Sequence, residues 1–173
     1  KIQITFVFVT HDQEEAIFLS DRIAVLNNHK FEQIGTPKDL YYSPQTTYMA
    51  KFFGECNLIN CSVINEDSKF VKVRSEFGNF VMPNNGSLKR DLDFVYGIRP
   101  EEVKLVAKNE NSMKVKIRDI SFKGSTSTIN ATNENEDKLL KIQNISSNIS
   151  QSLSVGTYIN VEFNTELGSI FTE

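Results

Sequence analysis

The chain has 173 residues, 39% of them apolar and 24% charged, with a formal net charge of −3. That is enough length to bury a core in one or two small domains, and the composition is ordinary for a globular protein. The charge balance offers no footprint for nucleic acid, and no basic stripe is interleaved with aromatics. No apolar run reaches the length of a membrane-spanning helix, and no signal peptide is visible. Cys56 and Cys61 are the only cysteines. A metal site needs more ligands nearby, so they read as reduced, mostly buried thiols.

The opening stretch from Ile4 to Val9 is apolar, β-branched and aromatic, which predicts a strand covered on both faces, as in an α/β core. It ends on His11. Asp12 is placed to N-cap a helix over residues 12 to 20, and Glu15 to complete a capping box. Ala16, Ile17 and Leu19 are expected to face the core. His11 would then stand at the carboxyl end of a strand and ahead of a helix N-terminus, where ligands bind in open α/β sheets. For Asp12, Glu14 and Glu15, capping and a solvated helix face explain the carboxylates without acid–base chemistry.

Asp21 to Leu26 alternates into a second strand, Asn27-Asn28-His29-Lys30 reads as a tight turn, and Phe31 to Gly35 returns as its partner. His29 is read as an exposed turn residue. Thr36 and Pro37 start a helix as N-cap and first helical residue, which stops near Pro44. A further helix covers about Thr46 to Phe53, with Tyr48, Met49, Phe52 and Phe53 at helical spacing, as for a core-facing stripe. Gly54 breaks it and ends the first domain, giving boundaries of 1–54 and 55–173.

From Asn57 onward short strands alternate with turn signals: 58–64, 70–75, 77–82, 94–98, 103–106, 114–120, 125–131, 139–142 and 158–163. The turn after the third is Pro83 to Ser87. Strand 125–131 is polar on both faces and is expected at a rim or edge. Many short strands at this spacing predict a small barrel or sandwich. Arg99 and Glu101 in Gly-Ile-Arg-Pro-Glu read either as a ligand contact or as a brace on a loop stiffened by Pro100.

Three groups of residues carry a resemblance. Val9-Thr10-His11-Asp12-Gln13-Glu14-Glu15-Ala16, followed by Leu19-Ser20-Asp21-Arg22-Ile23, resembles the switch-histidine loop of ABC-transporter ATPases. Gly35-Thr36-Pro37, Tyr48 to Gly54 and Gly97-Ile98-Arg99-Pro100-Glu101 resemble the tail of importer ATPases with a regulatory extension. Phe53 to Asn60, with Ser121-Phe122-Lys123-Gly124, is most similar to the spermidine/putrescine members. The resemblance implies an α+β chain: the C-terminal end of a P-loop ABC ATPase domain over 1–54, then an all-β, oligomer-binding-type (TOBE) barrel domain over 55–173. It implies that His11 contacts the γ-phosphate of ATP and the attacking water in an intact dimer. ATP and Mg2+ are then the cofactors of the intact protein. Homodimer formation, permease subunits in the membrane, and indirectly an external solute-binding protein are its partners, on the cytoplasmic face.

The sequence lacks the Gly-x-x-x-x-Gly-Lys-Ser/Thr loop that cradles phosphates, the Leu-Ser-Gly-Gly-Gln-type signature and an apolar strand ending in Asp-Glu. The chain begins at Lys1, not at a methionine, inside what would be a catalytic domain. It therefore reads as the C-terminal part of a longer protein, binding no cofactor and hydrolysing no ATP by itself. A rival reading makes the β-rich part a small-ligand module, with Lys123 to Thr128 offering backbone amides and hydroxyls to an oxyanion. Related systems for iron, sulfate or sugar share much of the same frame.

Overall fold

A computed structural model describes residues 4–84 and 86–172. The chain divides into two compact units, residues 1–54 and 55–173.

In the first unit, the opening run forms no strand. Residues 4–10 lack regular structure, and Phe6, Val7 and Val9 are 83%, 90% and 98% exposed. In this chain the run is therefore not the buried strand that was expected, whose first three residues lie outside the described ones. The physical reason is pairing: among the described residues no strand hydrogen-bonds to this run, and β composition yields a strand only where a neighbour takes up its N–H and C=O groups. Helix α1 (Gln13–Leu19) forms but buries no residue, so Ala16, Ile17 and Leu19 do not face a core. The hairpin β1 (Ile23–Asn27) and β2 (Lys30–Gly35) closes through Asn28 and His29, both at positive φ of 47° and 63°. That is the left-handed pair a two-residue turn of this type requires. Helix α2 (Pro37–Tyr42) carries a complete capping box between Thr36 and Asp39, and α3 (Thr47–Phe52) is capped by Thr46. Val25, Leu40, Met49 and Phe53 form the small core of this unit. The buried Gln33 amide spans the α2–α3 connection: its Nε2 donates to Ser43 O at 3.0 Å and its Oε1 accepts from Gln45 N at 3.0 Å.

The second unit is almost entirely β. Its strands are β3 (Asn57–Glu66), β4 (Phe70–Ser75), β5 (Gly78–Pro83), β6 (Asp93–Ile98), β7 (Val103–Val106), β8 (Met113–Phe122), β9 (Thr126–Thr132), β10 (Leu139–Ser146), β11 (Tyr158–Phe163) and β12 (Ser169–Phe171). Of the turn after β5, Asn85 lies outside the described residues. The strands make two five-stranded antiparallel sheets, ordered β12-β6-β3-β4-β5 and β10-β9-β8-β11-β7. The two are interleaved in sequence: β7 to β11 build one sheet, and the chain then returns β12 to the edge of the other. Strict alternation in β4 and β8 sends Val71 and Val73, Met113, Val115 and Ile117 inward to one continuous core. Phe80, Tyr96 and Phe163 tie the sheets together, with ring centroids 5.3 to 6.1 Å apart. Each such aromatic pair is worth about 1 kcal/mol beyond the area it buries.

Strand β9 lies between β10 and β8, not at an edge. Ser127, Thr128 and Thr132 are buried. Small hydroxyl side chains fit an interior strand when their hydroxyls are bonded, and the Ser127 and Ser150 hydroxyls lie 2.8 Å apart. Two of the four edges, at β5 and β10, are blunted by asparagine side chains. Asn111 Oδ1 accepts from Val81 N of β5 at 2.6 Å. Asn57 pairs with the Lys141 backbone of β10 in both directions, at 2.8 and 2.9 Å. Both contacts occupy backbone groups that an exposed edge would offer to another chain.

Candidate functional site

His11 sits at the bend between the extended opening run and α1, exposed to solvent. The local backbone is fixed around it. Asp12 Oδ1 accepts from Glu14 N and Glu15 N at 2.8 and 3.1 Å. The other half of the expected capping box is rerouted. Thr10 Oγ1 accepts from Asp12 N at 3.0 Å and donates to Glu15 Oε2 at 2.9 Å. Glu15 thus reaches the cap through a hydroxyl instead of directly, and the imidazole projects from a turn whose neighbours on both sides are bonded. Asp12 and Glu15 are occupied in this network as caps, and His29 is an exposed hairpin residue.

The described residues contain no group of three or more His, Cys, Asp or Glu that could hold a metal ion. His11 is the one sequence-nominated residue toward a nucleotide. Also among the described residues, no helix is long and apolar enough to cross a membrane.

The other nominated residues have structural roles. Arg99 is 6% exposed and its Nη1 donates to Glu55 O at 3.0 Å, a contact of the kind a brace makes. Glu101 falls in the 3-10 turn Pro100–Glu102 that follows. Cys56 and Cys61 are unbridged thiols, half-buried and buried. Burial, and next the nearby Glu76 carboxylate, push the Cys61 thiol up to about 12, so it stays protonated and unreactive at neutral pH. Within Lys123 to Thr128, Ser127 and Thr128 are buried, and Lys123 N is bonded to Thr126 O at 2.8 Å. Lys123, Gly124 and Ser125 of the same stretch are exposed.

The outer side of β3, β4 and β6 forms an open depression of about 630 Å³, lined by Arg74, Glu76, Asp93 and Phe94 among others, which sequence reasoning missed. Glu76 there is held by Lys138 at 3.1 Å and by Asn60 at 2.7 Å. The alternating polar positions of β3 and β4 were the available signal, but alternation alone does not tell a solvated face from a binding one.

Residues 96–171 match the TOBE domain family model. Over 124 residues, the chain is 40% identical to the spermidine/putrescine import ATP-binding protein PotA of Clostridioides difficile, covering 72% of this chain and 34% of that protein. It is 36% identical over 147 residues to the protein of the same name from Mannheimia succiniciproducens, covering 82% and 39%. The chain thus spans about a third of the length of the curated relatives it matches. Among solved structures, the cytoplasmic molybdate-binding protein ModG with molybdate bound is similar in fold. Its TM-score is 0.53 at 10% identity, over 68% of this chain and 96% of that one. Residues 96–171 thus resemble the TOBE domain, and over 72% of its length the chain is similar to spermidine/putrescine import ATP-binding proteins.

Proposed function

We propose that the chain is the C-terminal portion of the ATP-hydrolysing subunit of an ABC import system for spermidine and putrescine. The observation that carries this reading is the 40% identity to an import ATP-binding protein of that name, over 72% of the chain. Within it, residues 1–54 end the nucleotide-binding domain and residues 55–173 form a regulatory, dimer-supporting domain. Permease subunits hold the assembly on the cytoplasmic face of the membrane, and an external binding protein delivers the solute.

In this reading His11 senses the γ-phosphate and orients the attacking water across a homodimer. Its exposed imidazole, on a turn fixed by Thr10, Asp12 and Glu15, suits that role. The exposed run Phe6 to Val9 suits a core strand whose sheet neighbours come from elsewhere in the intact subunit. The α- and β-phosphates and Mg2+ would be held by residues outside this chain, because positioning and charge neutralisation are the bulk of phosphoryl-transfer catalysis. The 173-residue chain by itself then releases no phosphate from ATP.

Two measurements test this. In-frame coding sequence upstream of Lys1 should encode a phosphate loop, a signature motif and an Asp-Glu strand, beside permease genes; their absence overturns the reading. In the intact subunit, His11→Ala should retain ATP binding while hydrolysis falls at least about 100-fold, the scale of a lost water-positioning group. Undiminished hydrolysis would remove His11 from the site and leave the domain assignment standing.

A further inference from the structure

The outer face of the first sheet carries a row of side chains in register. Ser62 of β3 stands opposite Arg74 of β4 on one side and Asp93 of β6 on the other. A chain neighbour of each, Cys61, Val73 and Phe94, is buried in the core, so the three share the outward face. One strand separates the two charges, which puts their backbones about 10 Å apart. Among the described residues, neither the Arg74 guanidinium nor the Asp93 carboxylate has a hydrogen-bond or ion-pair partner. Both are exposed and both line the open depression.

The neighbouring row is already satisfied. The Glu76 carboxylate accepts from Asn60 Nδ2 at 2.7 Å and is held by Lys138 at 3.1 Å. Beyond Asn60 come Val95 and Phe171, paired across β6 and β12. Phe171 is a buried ring outside the common core. It lies over Gly97, where a Cβ would stand 2.8 Å from its Cε2. An apolar border thus runs beside two unanswered charges of opposite sign.

We infer that this depression binds a small zwitterion, a molecule with a carboxylate at one end and an ammonium group at the other. The carboxylate accepts from the forked N–H donors of Arg74, the charge-assisted contact that guanidinium favours. The ammonium group donates to the Asp93 carboxylate. The chain between them crosses Ser62, whose short side chain leaves it room, and lies beside Val95. The row also discriminates. A diamine would set its second cation against Arg74, and a dicarboxylate its second anion against Asp93, so opposite charges at the two ends are what it selects. The site is separate from His11 and does not rest on the import reading.

Amide NMR of the whole 173-residue chain tests the inference, with ε-aminocaproate as the probe at low salt. Saturable shifts are expected at the Ser62, Arg74 and Asp93 amides, with a Kd of about 1–10 mM, while Val115 and Ile129 in the other sheet stay unmoved. Caproate, hexylamine and putrescine should each bind at least about 3-fold more weakly. Arg74→Gln should remove the advantage of ε-aminocaproate over hexylamine, and Asp93→Asn its advantage over caproate. Both changes are at exposed side chains, and unmoved Val115 and Ile129 amides report that the fold is kept. No saturable shift up to about 100 mM, equal affinity for all the probes, or unchanged preferences in both variants would overturn the proposal.

Discussion

Tyr96 is fully buried and, among the described residues, its hydroxyl has no hydrogen-bond partner. The ring is well used, packed between Phe80 and Phe163 at 5.6 and 6.1 Å. An unpaired buried hydroxyl costs about 1–3 kcal/mol, and removing it forfeits only a few atomic contacts of about 0.1–0.2 kcal/mol each. Tyr96→Phe should therefore stabilise the protein by about 1 kcal/mol, against the usual direction for a core substitution. That corresponds to a rise in Tm of roughly 2–4 °C for a chain of this size. Urea denaturation at neutral pH gives the stability directly, with an unchanged denaturant slope confirming that only stability has moved. A loss of about 1 kcal/mol or more would show that the hydroxyl is bonded, and the reasoning would fail. Gly168 supplies an internal control. A Cβ there would stand 1.9 Å from the Tyr96 hydroxyl oxygen and 2.1 Å from Cζ, so the ring itself must shift. Gly168→Ala should cost about 3 kcal/mol by overpacking. The cost should be nearly the same whether Gly168→Ala is made alone or together with Tyr96→Phe, because the clash with the ring atoms survives loss of the hydroxyl.

Three further outcomes follow from the geometry. The Cys61 thiol titrates at about 12 in the folded protein, against an ordinary value of 9.0. As pH rises past about 9 the unfolded chain loses this proton first, so the native state holds more protons and stability falls, by up to about 1.4 kcal/mol per pH unit. Cys61→Ala should flatten that decline between about pH 9 and 10 in urea titrations; an unaltered slope would assign it to other groups. Gln33→Ala should destabilise the first unit by about 2 kcal/mol, since it leaves Ser43 O and Gln45 N without the partner that joins α2 to α3; proteolysis within residues 43–46 should accelerate accordingly. His11→Ala should change the Tm of the 173-residue chain by less than about 1 °C, because an exposed side chain away from caps and core contributes little; a larger shift would give the imidazole a structural role.

Local rules were enough where a few neighbouring residues settle the backbone. Asn28-His29 produced the two-residue turn, and Thr36-Pro37 the capped helix, because both depend on conformations available within a few residues. Strands β4, β8 and β11 were legible because their side chains alternate cleanly between core and solvent. The failures have a common origin in partners remote in sequence. Phe6 to Val9 has strand composition, but composition states a demand for burial and cannot supply the neighbouring strands. Residues 125–131 look like an edge by polarity, yet β9 lies inside a sheet because β10, later in the chain, pairs along its outer side. Ser169 to Phe171 is too short to show any period, and pairs with β6 only because the fold delivers it there. For the candidate site, the sequence singled out His11 and its cap, and the Thr10 relay depended on a hydroxyl that the capping pattern does not include. The brace at Arg99 needed the position of Glu55, remote in sequence.

The return of β12 to the sheet begun by β3 has a consequence for synthesis. A ribosome making this chain has emitted every strand of the second sheet before it reaches Ser169–Phe171, the residues that border Tyr96 and Gly97 in the first. Until then β6 has an open edge, and Gly168 has not yet come to rest against the Tyr96 ring. The first sheet, although begun earliest, is thus completed after the second, and its closure signals that translation has passed Phe171. A message truncated just short of Ser169 would yield a nascent chain with an exposed strand edge, the feature that quality-control proteases and aggregation both exploit.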